Sequence, residues 1–301
     1  LDATDVGATS SVRIYVGTTA TPEPGLTLAG AGVAIPTSPE AMAIAFTDNR
    51  LAIGGGGDRG LAYALHEVAD RLERGRRPID WSSRFPPIKE SPSVRTRSVA
   101  VFPHNEEMDA SWYFDVKYWR TYFDKLSSNR FNSFSLTFGH QTAYLVPPYA
   151  FLVPMHEFPT VTVPQLTKDQ REKNLSALQM ISRTATERGI DFTFGVWQQH
   201  AHEYGESLVE GLTPDNIAAY CRLGMTKVLE ACPDIQGVQL RVNVESGILL
   251  AESPEFFREI YAGVRAANRD IAIDIRAKAI ADDTWEAALA TEMPTTVSTK
   301  F

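Results

Sequence analysis

Polar and apolar residues alternate strictly near position 240 of this sequence. Val238, Leu240, Val242 and Val244 are separated by polar or charged residues, and the series ends at Glu245. A period of two residues is typical of a β-strand with one buried face and one polar face. On an antiparallel sheet the polar face meets solvent, whereas inside a barrel of parallel strands it is a candidate site. The elements predicted elsewhere in the chain decide between these two interpretations.

After residue 92 the chain alternates between strand patterns and helix patterns. Six strands are predicted, at 97–103, 131–139, 190–198, 235–244, 271–278 and 295–301. Helices are predicted between them, at 111–129, 168–189, 214–232, 253–268 and 283–292. This alternation predicts an α/β protein with a parallel sheet covered by helices, and more specifically a (β/α)8 (TIM) barrel. An open, doubly wound sheet is the alternative.

A closed barrel of this kind has eight βα units, and the pattern supplies six strands. We therefore expect a barrel that is truncated after strand six, to be completed by further chain segments or by a second chain.

The first ninety residues have a different pattern, which predicts a small α/β domain. Strand patterns at 12–17 and 40–57 precede a predicted helix at 60–75. Four closely spaced prolines then interrupt regular structure. We expect a small N-terminal domain at 1–92 and a barrel domain at 93–301.

The predicted N-terminal helix carries leucines and valine at helical spacing. Leu61, Leu65, Val68 and Leu72 form one stripe, which we expect to be its buried face. The four glycines at 54–57 precede this helix, but their spacing matches neither the GxGxxG nor the GxxxxGK[ST] nucleotide motif. A tight turn between strand and helix is the favoured explanation.

Composition narrows the classes of partner. The chain of 301 residues has a formal net charge of −8, which argues against nucleic-acid binding. No apolar run reaches the ~18 residues of a membrane span. The N-terminus lacks the basic and apolar regions of a signal peptide, so a signal peptide is absent or already removed. Taking it as removed, we expect an extracellular or periplasmic protein. Cys221 and Cys232 lie on one predicted helix, roughly 16 Å apart at ~1.5 Å per residue, and should be free thiols.

Polar side chains gather where the predicted strands end, and in TIM barrels the functional residues lie at these carboxyl ends. The candidates for ligand binding are His104, Asn105, His140, Gln141, Trp197, Gln198, Gln199, His200, Asn243 and Lys300. Trp112 and Trp119 lie seven residues apart on a predicted helix instead, so core packing is expected for them.

Cationic side chains form a second group on the predicted interior face. They are Arg241, Arg276, Lys278 and Lys300. Four cations in one cavity of an acidic protein suit a carboxylate or sulfate group of a ligand. Charge balance against Asp274 and Glu245 is the alternative.

The histidines raise a metal hypothesis. His200 and His202, with Glu203 beside them, could approach His140 or His104 at neighbouring strand ends. No HExxH or similar spacing occurs, and histidine also hydrogen-bonds hydroxyl groups well. We therefore expect no metal or other cofactor.

Three short motifs carry a resemblance to known enzymes. They are GLAYALHEVADRL at 60–72, PSVRTRSV at 92–99 and VNVESG at 242–247. With the small N-terminal domain and the barrel, they resemble glycoside hydrolases that have a hexosaminidase-like N-terminal α/β domain. The resemblance is to the α-glucuronidase-like enzymes of families 67 and 115 especially, and more distantly to family 20.

This resemblance implies a role for Glu245, because the α-glucuronidases place their general acid after the fourth strand in a Ser-Glu-Gly-like context. The present chain reads Val-Glu-Ser-Gly instead. Val244 stands where family 20 has the first residue of an Asp-Glu pair, which counts against help from a substrate acetamido group. Hydrolysis needs a second carboxyl group. Glu106, Glu107 and Asp274 are candidates, although the resemblance places the base on a later strand.

We therefore predict a secreted glycoside hydrolase in polysaccharide degradation, acting on a uronic-acid-containing or otherwise anionic poly- or oligosaccharide. Glu245 is the predicted general acid, and Trp197 the predicted stacking platform for a sugar. One alternative is a non-catalytic glycan-binding protein, in which Glu245 orients a hydroxyl or pairs with Arg241. Another is a metal-assisted hydrolase that uses the strand-end histidines. No nucleic-acid or membrane partner is expected.

Overall fold

The computed structural model describes residues 11–34, 37–75, 79–200, 206–278 and 280–299. Internal contacts divide the chain into two compact units. The first unit runs to Arg97 and also includes Lys125–Arg130, and the second contains Ser98–Asp124 and the residues from Phe131 onward. The predicted boundary near residue 92 stays a prediction.

The first unit is a four-stranded sheet with helices against it. Its elements are β1 (Arg13–Thr18), α1 (Pro22–Gly30), β2 (Met42–Thr47), β3 (Arg50–Gly55), α2 (Asp58–Arg74), α3 (Trp81–Arg84) and β4 (Ile88–Glu90). The strand order is β1-β3-β2-β4, in which β1 is parallel to β3 and the other pairs are antiparallel.

The two faces of this sheet bury side chains of different size. Large residues such as Ile44 and Leu51 pack with Tyr63 and Val68 of α2. Alanines of β2 and β3 face the other way, into a smaller cluster that contains Leu28 of α1. Because strand residues alternate between faces, the alternation of large and small residues in β2 produces both cores.

The predicted stripe on α2 was wrong in part. Leu65 and Leu72 are 42% and 37% exposed, whereas Tyr63 and Ala64 are buried beside Val68. The helix is thus rotated so that an aromatic residue, rather than a leucine, fills the centre of the core.

Arginines remote in sequence join the elements of the first unit. Arg97 lies 2.6 Å from Glu40, and Arg130 lies 3.1 Å from Glu67 and 2.5 Å from Glu90. The segment Lys125–Arg130 therefore contributes two ion pairs to this unit, both through Arg130.

The second unit is built around six parallel strands. Its elements are β5 (Ser98–Val101), α4 (Glu106–Tyr113), α5 (Val116–Ser128), β6 (Ser133–Phe138), α6 (Tyr149–Leu152), α7 (Lys168–Thr186), β7 (Asp191–Val196), α8 (Ile217–Ala231), β8 (Ile235–Arg241), α9 (Ser253–Ala266), β9 (Ala272–Ala277), α10 (Asp282–Leu289) and β10 (Thr295–Thr299). The last residues of α5 belong to the first unit.

The strand order confirms the predicted fold class. The strands lie in chain order from β5 to β10, and each is parallel to its neighbours. A doubly wound sheet reverses its strand order at a switch point, whereas a barrel does not. The described residues therefore form six strands of an α/β barrel, preceded in the chain by the small α/β unit.

The apolar face of this sheet packs on the helices. The ring of Phe134 on β6 lies 5.0 Å from that of Phe123 and 5.7 Å from that of Trp119, both on α5. Trp119 is fully buried, which confirms its predicted role in the core. The opposite face carries Ser135 and Thr137, whose hydroxyls lie 2.8 Å apart.

The connection between β6 and α7 was not predicted to have structure, and it does. The run from Leu145 to Val153 is buried and contains the short helix α6. It also contains a cis peptide bond between Val146 and Pro147.

Two smaller predictions were also tested. Both cysteines are buried and free, as expected. Among the described residues, no helix has the length and apolar character that crossing a membrane requires.

Candidate functional site

The carboxyl end of β8 differs from its prediction in a way that places the candidate acid. The strand ends at Arg241 rather than at residue 244, and Val244–Ser246 form a single 3-10 turn. Val244 is 51% exposed instead of packing under a helix. Gly247 ends the turn with a φ of 81°, a conformation that suits glycine. Glu245 therefore projects from a turn at the strand end.

Glu245 accepts contacts from three neighbouring side chains. Its carboxylate lies 3.2 Å from Nη1 of Arg241 and 3.1 Å from Nζ of Lys278. The side-chain amide of Asn243 donates to it over 3.3 Å. Residues from β8, from its following turn and from the end of β9 thus converge on one carboxyl group.

These neighbours decide the protonation of Glu245. Partial burial raises the pKa of its carboxyl group, but hydrogen bonds from Asn243 and Lys278 and the charges of Arg241 and Lys278 outweigh burial and lower the pKa below its usual value. The group is therefore a carboxylate at neutral pH. A general acid must carry a proton, so this resting state opposes the predicted role. It matches the alternative in which Glu245 pairs with Arg241.

Arg241 is held between this carboxylate and an indole ring. Its Cζ atom lies 4.3 Å from the ring centroid of Trp197, and the residue is 5% exposed. Trp197 itself is 7% exposed. The ring therefore offers little surface for stacking on a sugar, and its contacts are those of a support for the guanidinium.

A chain of hydrogen bonds runs from Trp197 across the polar face of the sheet. Its indole N–H donates to Oε1 of Gln239 over 2.7 Å, and Nε2 of Gln239 donates to Asp274 over 2.5 Å. Hydroxyls of Thr296 and Ser298 donate to the same carboxylate. Both oxygens of Asp274 are thus occupied, which argues against its use as the second carboxyl group.

Arg276 and Lys278 extend the cationic group along β9. The guanidinium of Arg276 donates to the Thr299 carbonyl over 2.8 Å and lies 5.7 Å from the Trp197 ring centroid. Lys278 is exposed, and its side chain retains 59% of its accessible surface. Lys300, the fourth predicted cation, lies outside the described residues.

Aromatic side chains adjoin Trp197 at the ends of β5 and β6. The ring of His140 lies 5.1 Å from that of Trp197 and 4.5 Å from that of Phe102. His104 is exposed, with its ring 6.4 Å from that of His140. His104, His140 and Trp197 are therefore neighbours, as the rule on strand ends predicted.

Other predicted binding residues have structural contacts. Asn105 caps α4 by accepting a hydrogen bond from the Met108 N–H, and Gln199 is fully buried and accepts one from the Tyr149 hydroxyl. Gln198 is fully buried as well.

Two further candidates lie at the surface of the strand ends. Gln141 is exposed, with a φ of 54°, and His200 is half-buried. Glu106 and Glu107 are exposed in the first turn of α4.

One carboxyl group at this edge was missed. Asp109 is 4% exposed and accepts hydrogen bonds from the backbone N–H groups of His104 and Asn105. Burial raises its pKa, although these hydrogen bonds act in the opposite direction. The sequence gives no signal for this role of Asp109. Acidic residues are common in the first turn of a helix, and Asp109 is one of three in the first turn of α4.

The metal hypothesis rests partly on residues that the structure does not describe, since His202 and Glu203 lie among them. Within the described ranges, no group of three or more His, Cys, Asp or Glu side chains is placed to hold a metal ion.

Solved glycoside hydrolases have similar structures. A GH138 enzyme targeting pectin rhamnogalacturonan II is 19% identical, with a TM-score of 0.70 over 96% of this chain and 38% of that chain. The GH20 β-N-acetylhexosaminidase from Streptomyces coelicolor A3(2) is 12% identical, with a TM-score of 0.58 over 97% of this chain and 71% of that chain. A Streptomyces plicatus β-hexosaminidase is also 12% identical, with a TM-score of 0.57 and coverage of 97% and 70%.

In sequence, no protein-family model and no curated protein matches the chain. The chain spans 38% of the length of the GH138 enzyme. At these identities the likeness concerns the fold, and the predicted relation to families 67 and 115 stays a prediction. The chain therefore shares its fold with these glycoside hydrolases over the matched residues.

Proposed function

We propose that this chain belongs to a glycoside hydrolase that cleaves an anionic glycan, such as one containing uronic acids, with Glu245 as the general acid. The observation that carries the proposal is the cluster of Glu245, Arg241 and Lys278 at the carboxyl end of the parallel strands. This is the end at which TIM-barrel enzymes have their active sites.

The cations of the cluster favour an acidic substrate. Arg241 is nearly buried and can form a bidentate pair with a carboxylate, while the exposed Lys278 adds a mobile charge. A sugar carboxylate is chemically the same group as the Glu245 carboxylate, which these two cations already contact. The GH138 neighbour targets a pectin, and pectins are acidic polysaccharides. An extracellular or periplasmic location fits such a polymeric substrate.

An acidic substrate also supplies a route by which Glu245 gains its proton. A substrate carboxylate that takes over Arg241 or Lys278 weakens the interactions that lower the pKa of Glu245. Its negative charge, and the exclusion of water, raise that pKa further. Glu245 then becomes protonated when the substrate binds and can donate to the leaving glycosidic oxygen. We assign no described residue to the second carboxyl group.

The test compares leaving groups. Glu245→Gln should lower kcat on an acidic oligosaccharide, such as an oligogalacturonide, by about 10²–10⁴-fold. A nitrophenyl galacturonide should lose much less, because its leaving group needs little protonation. Glu255→Gln, at an exposed position of α9, is the matched control. Equal losses on both substrates, or full activity of the Glu245 variant, would overturn the acid role.

One observation favours a second candidate, a glycan-binding protein without catalysis. The ion pair with Arg241 and the lowered pKa of Glu245 are what a purely structural carboxylate would show. In that case the unaltered protein binds acidic oligosaccharides without turnover. The metal-assisted alternative predicts instead that a chelator abolishes hydrolysis.

A further inference from the structure

The hydrogen bonds that link Trp197, Gln239 and Asp274 have fixed donors and acceptors. Asp274 accepts from the hydroxyls of Thr296 and Ser298 and from Nε2 of Gln239. An ionised carboxylate is an acceptor only, so the Gln239 amide must turn its NH2 group toward Asp274. Its oxygen then faces the other way and accepts the indole N–H of Trp197.

This arrangement fixes the plane of the Trp197 ring. The indole N–H is a donor only, and its single bond goes to Gln239 over 2.7 Å. Contacts with Phe102 and His140 surround the ring, with centroids at 5.0 and 5.1 Å. The ring is therefore held both by packing and by a chain of two hydrogen bonds, which leads through Gln239 to Asp274 on β9.

The Trp197 ring in turn limits the positions of the Arg241 guanidinium. The separation of 4.3 Å between Cζ and the ring centroid is within the ~6 Å range of a cation–π contact. Glu245 holds Nη1 of the same group at 3.2 Å. A guanidinium placed in this way has its orientation set before any ligand arrives, which reduces the entropy lost on binding.

We propose that Asp274 is a positioning residue of this site: through Gln239 and Trp197 it holds the Arg241 guanidinium where the acidic group of a substrate is received. The inference rests on the proposed anionic substrate. It gives Asp274 a role other than that of the second catalytic carboxylate, and it places the origin of substrate preference on β9 and β10.

The first experiment measures ligand preference in the full chain by isothermal calorimetry. The probes are D-glucuronate and, as the neutral counterpart, D-glucose. Asp274→Asn should weaken glucuronate binding by about tenfold, which corresponds to ~1.4 kcal/mol, and leave glucose binding unchanged. Gln239→Met removes the same connection without changing charge and should have the same effect. Asp283→Asn, at an exposed position of α10, is the control.

The second experiment needs no ligand. The carboxyl carbon of Glu245 is titrated by ¹³C NMR and identified by its loss in Glu245→Gln. Loss of the positioned Arg241 should raise the pKa of Glu245 in both Asp274→Asn and Gln239→Met. Removing the negative charge of Asp274 acts directly in the opposite direction and would lower that pKa. The sign of the shift therefore separates positioning from a charge effect.

The outcomes are distinct. A raised pKa of Glu245 in both variants, together with the loss of glucuronate preference, supports the inference. An unchanged or lowered pKa, or a preference that survives in both variants, overturns it. If the unaltered protein shows no preference for glucuronate while the pKa rises in the variants, the positioning of Arg241 stands and the proposed acidic substrate fails.

Discussion

Replacing Arg241 by methionine tests the energetics of the site. The change removes the guanidinium and keeps an unbranched side chain in a place where the arginine side chain is 6% exposed. A hydrogen bond to a charged group contributes ~1.5–3 kcal/mol, and a desolvated cation–π contact about 2 kcal/mol. Burial of the methionine offsets roughly 1–2 kcal/mol of this loss. Glu245 keeps Lys278 and Asn243 as partners. We therefore expect a loss of about 1.5–4 kcal/mol in the free energy of unfolding at pH 7.

The loss should depend on pH, because the folded pKa of Glu245 lies below its unfolded value. The stabilisation from ionised Glu245 is present above the unfolded pKa and is lost as the pH falls through the folded pKa. In Arg241→Met the folded pKa moves back toward the unfolded value. The difference between variant and unaltered protein should therefore shrink between pH 7 and pH 3.

Urea unfolding, followed by circular dichroism at both pH values, measures this difference. A double-mutant cycle with Glu245→Gln should give a coupling energy of ~1–2 kcal/mol. Arg222→Met is the control: Arg222 pairs with Glu259 over 2.9 Å, but Arg222 is exposed and Glu259 is only half-buried, so at most ~1 kcal/mol is expected. The reasoning is refuted if both arginine variants lose the same stability, or if the cost for Arg241 is the same at pH 3 as at pH 7.

Three further predictions concern packing and charge. Gly195→Ala should cost ~1–3 kcal/mol and lower the Tm in calorimetry, because an added Cβ would lie 2.2 Å from Oγ1 of Thr137; an unchanged Tm would contradict this packing. Asp109 has a raised folded pKa, so its contribution to stability is present below its unfolded pKa and lost as the pH rises through the folded one. Asp109→Asn should therefore gain in urea stability relative to the unaltered protein as the pH rises from 3 to 7, and a constant difference would refute this. Arg130→Met should cost about 1 kcal/mol at 0.1 M salt and less at 1 M, since its ion pairs are partly exposed; equal costs in the two urea series would refute an electrostatic origin.

The inner strands of the barrel, β6 to β9, could be predicted because each of them carries buried apolar residues at strand spacing. The end of β8 could not, since alternation continues through Val244 while the backbone has already turned. The left-handed conformation of Gly247 determines that turn, and a glycine in a sequence does not reveal its φ. The buried run from Leu145 to Val153 lacks any regular period, so no pattern predicts its structure.

Some contacts between strand-end side chains were predictable from the sequence, but the electrostatics of the candidate site were not. The expectation that functional side chains gather at strand ends correctly brought His140 beside Trp197. Arg241 and Glu245 also lie together, but Glu245 reaches Arg241 from a turn and not from the predicted strand. The direction of the pKa shift of Glu245 depends on hydrogen-bond distances, which spacing does not give. The hydrogen bond between Gln239 and Asp274 joins residues that are 35 positions apart in the sequence. It depends on the register between β8 and β9, which sets these two residues side by side and which the sequence pattern does not give.

The first unit is completed by a segment that follows the first strand of the barrel. Lys125–Arg130 belongs to this unit, and Arg130 forms its ion pairs with Glu67 and Glu90. At a translation rate of ~5–20 residues per second, residues 98–130 take roughly two to seven seconds to be synthesised after residue 97. During that interval the nascent unit lacks Arg130. Exchange of such N-terminal units between related proteins by recombination must also carry the end of α5 with them.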